Sequence, residues 1–517
     1  MIRVRQIKVP LEDENLKKYT AKKLNTKAKD ISQLKINKKS IDARKKQDIH
    51  YVYEVDIKIK NENKYLKNKD VLKTPKEKYI EPIMGNKKLK TNPIIIGAGP
   101  AGLFAALLLS QKGYKPIVIE RGEKIEDRVK TVEKFWQEGI LNKNSNVQFG
   151  EGGAGTFSDG KLNTLVKDKN YRMKKVFETF VKCGADEEIM YLNKPHIGTD
   201  MLRNVIINLR KQIINLGGKF IYNEAMTDIN IKEGKIESIT LNNKETLPCE
   251  VLVLAIGHSS RDTVEMLYNK NLNITSKPFA IGIRLQHTQN LINNAQYGDV
   301  KLPPADYKLT YKTKENRAVY SFCMCPGGYV VNASSEENLL AINGMSNHKR
   351  NSGIANSAII VAINEKDFGQ NPLDGIKFQR KLEKKAFELA KGKIAVQTLK
   401  DFKENKTSKE ITNYKFKGDY NFTDINELYP AYITKSLKEA IDYFDTKIKG
   451  FADDSVTLAA PETRTSSPVR ILRDDNLEAN IKGIYPCGEG AGYAGGITTS
   501  AMDGLKVAEA IINKYRP

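Results

Sequence analysis

The sequence predicts an α/β protein built from a small N-terminal α/β domain, a three-layer domain around a parallel sheet, and an inserted α+β domain. Residues 94–96 are a continuous apolar run that leads into a glycine-rich turn and an Ala/Leu-rich helix, as expected for a strand buried on both faces. Residues 49–59 alternate between apolar and polar, which is typical of a half-buried strand. The predicted boundaries are 1–90 for the N-terminal domain with its linker, 91–260 plus 455–517 for the parallel-sheet domain, and 261–454 for the inserted domain.

The composition indicates a globular protein. Of the 517 residues, 40% are hydrophobic and 28% are charged. No stretch approaches the roughly 20 apolar residues that a membrane-spanning helix needs, and the N-terminus lacks the apolar core of a secretory signal. The five cysteines form no disulfide framework, which favours a reducing compartment. We therefore expect a cytoplasmic protein without a membrane span.

The positive charge is concentrated near the N-terminus. The formal net charge is +23, and residues 1–90 hold 26 Lys and Arg against 12 Asp and Glu. Only 17 of the 85 basic residues are arginine, the residue that makes most bidentate phosphate and base contacts. The segment 38–46 is interpreted as a solvated basic loop, with contact to RNA or to an acidic protein as the alternative.

The N-terminal domain is predicted from three local patterns. Residues 2–9 are predicted to form a strand, and residues 11–24 a helix whose acidic first turn suits the positive end of the helix dipole. Residues 49–59 supply the alternating strand described above. Residues 61–92 are rich in Lys and Asn and are interpreted as a linker or an extended crossing segment.

The glycine-rich turn at residues 97–102 predicts a dinucleotide site. Gly97 permits a tight turn, Gly99 lets the backbone approach a pyrophosphate, and Gly102 lets the following helix pack closely. Pro100 and Ala101 begin that helix, whose free N–H groups attract an anion. This arrangement is Rossmann-like. The strand 115–120 ends in a glutamate, Glu120, which is placed to accept ribose hydroxyls.

Three further segments resemble, in order, those of the glutathione-reductase-like FAD superfamily. The strand 251–257 ends at Gly257, and residues 484–490 contain Gly488 and Glu489. Residues 492–504 lead into a helix predicted at 505–513, whose N-terminus would face the flavin. The resemblance implies that FAD is the cofactor, that Glu489 binds its ribityl chain, and that residues near Ala225 and Met226 meet the adenine.

Longer motifs carry a more specific resemblance. Residues 120–128, 146–162, 322–328, 461–473 and 486–504 together resemble a bacterial family of uncharacterised FAD-dependent dehydrogenases with an extra N-terminal domain. The resemblance covers essentially the whole chain and brings no known substrate. It implies that the following residues also contact FAD: Arg121, Arg128, Gly152, Gly153, Ser158, Gly496 and Ile497.

The electron donor stays open at this point. The sequence contains one complete GxGxxG motif and no CxxC after the first helix, so a dedicated NADPH domain is not expected. Transient NAD(P)H binding, a protein carrier and a quinone are the three alternatives.

Three residues are candidates for chemistry beside the cofactor. Arg464 suits a substrate carboxylate or a negative flavin, although a structural ion pair is the competing interpretation. His258 follows the strand that ends at Gly257 and is a candidate acid or base. Cys325 belongs to a CxC motif that is either redox-active or a structural strand position. The histidines are too scattered to predict a metal site.

The predicted function is that of an FAD-dependent oxidoreductase that performs two-electron chemistry on a small organic substrate. Three alternatives share the predicted fold: an RNA-modifying flavoenzyme that uses the basic N-terminal domain, an isoprenoid or lipid reductase, and a non-enzymatic electron-transfer module. One fold hosts many chemistries, so the sequence leaves the substrate undetermined.

Overall fold

A computed structural model describes residues 1–164 and 166–517. Three large sheets organise these residues: a four-stranded N-terminal sheet, a five-stranded parallel sheet, and a seven-stranded sheet that is antiparallel except at one edge. The predicted α/β class with a parallel sheet is confirmed.

The N-terminal sheet is antiparallel and carries the helix Leu16–Leu24 on one face. The alternating pattern at 49–59 is a strand, as predicted, and its buried Val55 and Ile57 face Ala21 and Leu24 in one apolar cluster. In spatial order the four strands are Ile31–Asp42, His50–Ile59, Ile2–Pro10 and Val71–Lys73.

Three predictions for this region were wrong in detail. The helix begins at Leu16 rather than at residue 11, because the Asn15 side chain caps it by accepting the N–H of Lys18 at 3.1 Å. The basic segment 38–46 is strand as far as Asp42, since it pairs with the strand that begins at His50. The expected linker at 61–92 supplies two short strands, Val71–Lys73 and Lys87–Lys88, together with the 3-10 turn Glu62–Lys67.

The parallel sheet has an apolar core on both faces. Ile95 packs with the helices on one face, whereas Ile94 and Ile96 pack on the other. This burial explains why the sequence run is continuous rather than alternating. The strand order is Ile484–Pro486, Leu252–Leu254, Ile94–Ile96, Ile117–Glu120 and Lys219–Tyr222.

Two different layers cover the parallel sheet, which confirms the predicted three-layer arrangement. On one face lie the helices Pro100–Gln111, Arg172–Lys182, Thr199–Asn215 and Ile497–Lys514. On the other lie the antiparallel strands Met226–Lys232, Lys235–Leu241 and Glu245–Pro248 with the helix Arg261–Asn269. The helix Ile125–Glu138 and the 3-10 turns Ala154–Phe157 and Glu187–Met190 lie in the chain between the strand Ile117–Glu120 and the helix Thr199–Asn215.

The C-terminal helix, Ile497–Lys514, begins eight residues before the predicted start at 505. Its early turns contain Gly504, whose added Cβ would lie 2.1 Å from the carbonyl oxygen of Ala101. The glycine therefore lets this helix cross closely over the helix Pro100–Gln111. The sequence pattern suggested a loop because glycine usually weakens a helix.

The seven-stranded sheet forms the inserted part of the molecule. Its spatial order is Thr310–Lys312, Ala318–Cys325, Ile354–Ile363, Phe279–Thr288, Thr457–Glu462, Ile394–Thr398 and Tyr420–Phe422. The helices associated with it are Gln289–Tyr297, Glu365–Phe368, Asp374–Leu389, Leu399–Glu404 and Ala431–Asp445.

Two segments belong to a different part of the fold from the one to which the predicted boundaries assign them. Thr457–Glu462 pairs with Phe279–Thr288, so the seven-stranded sheet extends beyond residue 455. The helix Arg261–Asn269 packs with the parallel sheet although it lies after residue 260. The smaller pairings are Ile274–Ser276 with Val469–Ile471, Lys87–Lys88 with Tyr515–Arg516, and Tyr329–Asn332 with Ile342–Met345 and Phe416–Lys417.

Across residues 1–164 and 166–517, none of the helices combines the length and the apolar character needed to cross a bilayer.

The close crossing of the two helices predicts a stability effect. Replacing Gly504 with Leu should lower the free energy of unfolding by about 1–3 kcal/mol, because the side chain must push against the Ala101 backbone. Denaturant titration followed by circular dichroism measures this loss. Lys506→Leu, on the exposed face of the same helix, is the matched control and should leave the midpoint nearly unchanged. Equal midpoints for the two variants would contradict the close crossing.

Candidate active site

A cavity of about 380 Å³ lies at the carboxyl ends of the parallel strands. This is the edge at which open α/β sheets bind their ligands. One side is formed by the turn after Ile94–Ile96 and by residues 255–260. The opposite wall comes from two strands of the seven-stranded sheet, Ala318–Cys325 and Thr457–Glu462. The cavity therefore lies between the edge of the parallel sheet and the seven-stranded sheet of the inserted part.

The three glycines of the turn differ in the space that each would leave for a side chain. A Cβ at Gly97, whose φ is +101°, would lie 2.3 Å from the Ala255 carbonyl, and one at Gly102 would lie 1.9 Å from the Gly97 carbonyl. Gly99 has an ordinary φ of −77°, and the nearest atom to its added Cβ is 3.8 Å away. A Cβ at Gly99 would therefore be in ordinary contact with Gly153 and clash with nothing, while Gly97 and Gly102 are required by the packing of the turn.

The helix that follows this turn points its beginning at the cavity. Pro100 and Ala101 both line the cavity, and the first N–H groups of a helix have no partner within the helix. Together with the helix dipole, they form a site for an anion. Gly102 does not line the cavity, because it faces the turn itself.

Glu120 ties three segments together at the edge of the cavity. Its carboxylate accepts the N–H groups of Ala98 at 2.8 Å, Gly122 at 3.0 Å and Gly150 at 2.9 Å. A carboxylate has about four lone-pair sites. Since the side chain also lines the cavity, one site is left for a ligand hydroxyl.

Ala225 and Met226 lie at the same end of the cavity as Glu120. The N–H of Ala225 donates to the Asn242 side chain at 3.0 Å, which holds this corner. Gly257, with φ of +71°, also lines the cavity and has no atom within 4 Å of an added Cβ. These residues line one part of the cavity, where Gly257 leaves open space.

A glycine loop, residues 150–160, packs on the glycine turn. An added Cβ at Gly153 would lie 3.2 Å from the Gly99 Cα, and one at Gly152 would lie 2.1 Å from the Thr156 hydroxyl. Gly153 and Ser158 line the cavity, whereas Gly152 faces the loop interior. The loop therefore forms a second wall within contact distance of the turn.

Arg128 does not reach the cavity, contrary to the prediction that it contacts FAD. Its fully buried guanidinium donates to backbone carbonyls just before the glycine loop and in the first residues of the loop. The acceptors are Asn146 at 2.9 Å, Val147 at 3.0 Å, Gly150 at 3.1 Å, Glu151 at 2.7 Å and Gly153 at 2.9 Å. Because all three of its nitrogens donate to these carbonyls and the side chain does not line the cavity, Arg128 shapes the loop instead of binding a ligand.

The far end of the cavity is formed by the start of the C-terminal helix. Gly496 and Ile497 line it, and nothing lies within 4 Å of a Cβ added at Gly496. Gly488 faces away, since its added Cβ would lie 2.7 Å from the Cβ of Ala101. A second helix N-terminus is thereby directed at the same cavity.

Glu489 and His258 form a hydrogen-bonded pair inside the cavity. His258 Nδ1 lies 3.1 Å from Glu489 Oε1, and both residues line the cavity. The other ring nitrogen, Nε2, is buried without a partner in the described structure. A buried polar atom of this kind requires a partner, which a bound group would supply.

Arg121 lines the cavity and is held from two sides. Its guanidinium donates to Asp262 at 2.6 and 3.0 Å and lies 4.4 Å from the ring centroid of Phe149. It is placed beside the end of the strand Ile117–Glu120, near Glu120.

Arg464 lines the cavity but is already paired with a buried carboxylate. Its Nε and one terminal nitrogen donate to Glu383 at 3.0 and 2.8 Å, and Arg261 donates to the same carboxylate at 2.7 and 2.8 Å. Burial alone would raise the pKa of Glu383, but the two guanidinium groups hold it well below its ordinary value. The predicted role of Arg464 in binding a substrate anion is therefore replaced by an ion-pair role.

The structure separates the two cysteines of the CxC motif. Cys323 lines the cavity, whereas Cys325, the predicted candidate, is fully buried behind it.

Several cavity residues were missed by sequence reasoning. Lys161 and Gln148 lie within the motif 146–162 and were overlooked because glycines dominate that segment. Glu462 lies within the motif 461–473 but was overlooked beside Arg464, whereas Asn343 carries no local signal, since the fold alone brings it to the cavity. In residues 1–164 and 166–517, no group of three or more His, Cys, Asp and Glu side chains could hold a metal ion.

Three family models match successive parts of the chain. Residues 91–267 match the model described as "Pyridine nucleotide-disulphide oxidoreductase". Residues 278–465 match "FAD-dependent protein, C-terminal domain-like", and residues 1–58 match a domain of unknown function. The first match contains the glycine turn and Glu120, and the second contains the cavity wall from the seven-stranded sheet.

A relative covers the chain almost completely. An uncharacterized protein of Clostridium beijerinckii is 49% identical, with the alignment covering 99% of each chain. Among solved structures, glycine oxidase from Bacillus cereus is 11% identical with a TM-score of 0.35, over 83% of this chain and 98% of that one. L-proline dehydrogenase from P. horikoshii is 12% identical with a TM-score of 0.34, over 83% of this chain and 94% of that one. Structural likenesses this weak say nothing specific about the present chain.

The buried ion pairs predict a large stability effect. Glu383→Gln should lower the free energy of unfolding by about 3–5 kcal/mol, because Arg261 and Arg464 lose the charge that compensates them. Denaturant titration at neutral pH measures this loss.

A control variant and the pH dependence show whether the loss of stability in Glu383→Gln comes from the ion pairs or from any change in this helix. Glu388→Gln, on an exposed position of the same helix, should change the midpoint little. Because the folded pKa of Glu383 is depressed, its stabilisation exists above the ordinary carboxyl pKa and falls as acid protonates it. The difference between wild type and Glu383→Gln should therefore shrink in acid, and a constant difference would contradict the ion-pair role.

Proposed function

Because the chain belongs to the family of FAD-dependent oxidoreductases that includes its Clostridium beijerinckii relative, we propose that it is a dehydrogenase acting on a small organic substrate. The observation that carries the proposal is the cavity itself. Two helix N-termini, those at Pro100 and Ile497, line it together with Gly99, Gly257 and Gly496. FAD is the cofactor, and when bound it supplies the two-electron redox chemistry.

The residues of the parallel-sheet side fit the parts of FAD in order. Ala225 and Met226 form a slot for the adenine, and the free lone pair of Glu120 accepts a ribose hydroxyl. Gly99 and the N-terminus of the helix Pro100–Gln111 bind the pyrophosphate. Each assignment follows from open space or from an unused hydrogen-bonding group at that position.

The other end of the cavity suits the flavin ring and its ribityl chain. Glu489 is placed to accept ribityl hydroxyls, and the N-terminus of the helix Ile497–Lys514 stabilises negative charge on the ring. The unpartnered Nε2 of His258 holds or accepts a proton there, since Nδ1 is oriented by Glu489.

The substrate is placed against the wall of the seven-stranded sheet. Phe322, Asn343 and Thr465 line the cavity from that side and are not used by the predicted cofactor contacts. An apolar ring beside amide and hydroxyl groups suits a small organic molecule better than a bare ion. Electrons come from NAD(P)H, a protein carrier or a quinone.

All five cysteines are free thiols, in keeping with a cytoplasmic setting.

The glycine turn predicts a test of the cofactor site. Gly99→Val should abolish retention of FAD, because the added side chain occupies the space that the pyrophosphate needs. The protein should still fold, since an added Cβ meets no atom closer than 3.8 Å. The visible absorption spectrum of the purified protein measures the bound flavin, and circular dichroism measures folding.

Gly139→Asn is the matched control for that test. Gly139 ends the helix Ile125–Glu138 with φ of +75° and has no neighbour within 4 Å of an added Cβ, and asparagine tolerates that conformation. This variant should keep its FAD. Full FAD occupancy in folded Gly99→Val would overturn the assigned pyrophosphate site.

The proposed reaction class predicts the behaviour of the bound flavin. The untagged protein should show the two-band absorption spectrum of oxidised flavin. The longer-wavelength band should lose its intensity when a reductant is added in the absence of oxygen. NADH and NADPH are added first. Bleaching by either establishes a pyridine-nucleotide donor, and bleaching only by a reduced quinone or a protein carrier establishes the other donor classes. A flavin that none of these reduces would leave the organic substrate as the reductant, whereas a colourless protein that also takes up no added FAD would overturn the proposal.

A further inference from the structure

The cysteine pair of the CxC motif lies at a break in the seven-stranded sheet. Along the strand Ala318–Cys325, Phe322 pairs with Ala358, but Cys325 pairs with Asn356. Two residues, Cys323 and Met324, therefore stand opposite a single residue on the neighbouring strand. Such a β-bulge redirects side chains and is frequent beside active sites.

The bulge turns Cys323 toward the cavity. Cys323 has φ of +44°, a conformation that residues other than glycine, asparagine and aspartate adopt rarely. Its carbonyl is held by two donors, Arg284 at 3.1 Å and the Cys325 thiol at 3.2 Å. A strained backbone that its surroundings hold in place is characteristic of functional positions.

The two thiols have different surroundings. Cys323 is half-buried and lines the cavity, while Cys325 is fully buried directly behind it. The side chain of Met324 is buried in the core of the seven-stranded sheet. One thiol is thus accessible from the cavity. The second, whose sulfur lies 3.2 Å from the Cys323 carbonyl oxygen, is shielded from the cavity.

The charges around the pair favour a thiolate at Cys323. Lys161 lines the cavity, and its ammonium contacts the carbonyl of Met324, between the two cysteines. Arg284 approaches the Cys325 sulfur at 4.0 Å, and Asp159, at 3.7 Å from Lys161, acts in the opposite direction. The hydrogen bond from Cys325 lowers the pKa of Cys323, and the charges of Lys161 and Arg284 add to that effect.

The other three cysteines provide a contrast within the same chain. Burial raises the pKa of Cys183 to about 11 and that of Cys249 to about 12, and it also raises the pKa of Cys487. Each of these three is buried. Among the five cysteines, therefore, only Cys323 combines access from the cavity with a stabilised thiolate.

We propose that Cys323 and Cys325 are a redox-active dithiol that opens into the cavity and exchanges with a small-molecule disulfide. Cys323 is the attacking thiol, and Cys325 is the resolving thiol. An accessible, activated cysteine beside a protected partner is the arrangement that thiol redox chemistry uses.

The exchange balances without any further reactant. The Cys323 thiolate attacks one sulfur of the small-molecule disulfide, which forms a mixed disulfide and releases one thiolate. Cys325 then loses its proton to solvent and attacks the Cys323 sulfur, which releases the second thiolate. The two cysteines are oxidised by two electrons to a disulfide, and the small-molecule disulfide is reduced to two thiols. In reverse, two small-molecule thiols reduce the pair.

This site goes beyond the proposed dehydrogenase, because the exchange itself requires no flavin. The readout of its test is the state of the sulfurs, which is recorded separately from the flavin spectrum. Failure of the cysteine proposal would therefore leave the dehydrogenase proposal intact, and the converse also holds.

The first experiment measures thiol reactivity in the native, FAD-loaded protein. Iodoacetamide is added at neutral pH, and peptide mass spectrometry follows the alkylation of each cysteine. Cys323 should react at least about tenfold faster than Cys249, which is the buried internal reference. Equal rates, or a faster Cys325, would overturn the proposal.

The second experiment identifies the oxidised product. Incubation with glutathione disulfide should yield a Cys323–Cys325 disulfide in the wild-type protein. In Cys325→Ser the reaction should stop at a mixed disulfide of Cys323 with glutathione, because the resolving thiol is missing. Cys249→Ser is the control and should behave as wild type. A wild-type protein in which Cys323 gains glutathione but no internal disulfide forms would exclude the resolving role.

The third experiment tests the charge at the pair. Lys161→Gln should slow the alkylation of Cys323 and move its pH midpoint upward, because a cation that favours the thiolate is removed. Retained FAD in the visible spectrum shows that this variant is folded. An unchanged midpoint in a folded Lys161→Gln protein would contradict the assigned electrostatic role.

Discussion

One buried guanidinium holds the loop on which the cavity depends. The glycine loop contains five glycines in eleven residues, so it forms no ladder of its own, and its buried carbonyls need partners from elsewhere. Arg128 supplies them by donating to carbonyls just before the loop and in its first residues, while Glu120 accepts the N–H of Gly150 at the start of the loop. The loop is thereby held in contact with the glycine turn at Gly99, and the two segments together line the cavity.

The parts of the fold that sequence reasoning predicted are those set by short-range rules. The run at 94–96, the following glycine turn and the ending at Glu120 form one local unit, and the structure contains it as predicted. Residues 49–59 were recognised because one face of that strand is buried. Two helices begin at other residues than the local pattern predicts. A side-chain cap at Asn15 decides the first start, and the close helix contact at Gly504 explains the second.

The site was predictable only where its residues lie in the glycine-rich motifs. Arg464 and Glu383 are about eighty residues apart, and nothing in either neighbourhood indicates that they form a buried pair. The choice between Cys323 and Cys325 depended on a β-bulge, which arises from the register of a strand more than thirty residues away. Sequence reasoning found the motif but selected the cysteine that faces away from the cavity.

The position of the strand Ile31–Asp42 gives the basic N-terminal region a role in keeping copies of the chain apart. This strand lies at the edge of the N-terminal sheet, and unpaired edges invite pairing with another molecule. The backbone of Lys39 is occupied by bonds to Tyr191 and Asn193, and the rest of the edge carries charged side chains such as Lys35 and Lys38. Lysines at such an edge discourage aggregation by repulsion and by the cost of desolvating them. Part of the positive charge that first suggests nucleic acid therefore has a use in solubility that requires no partner.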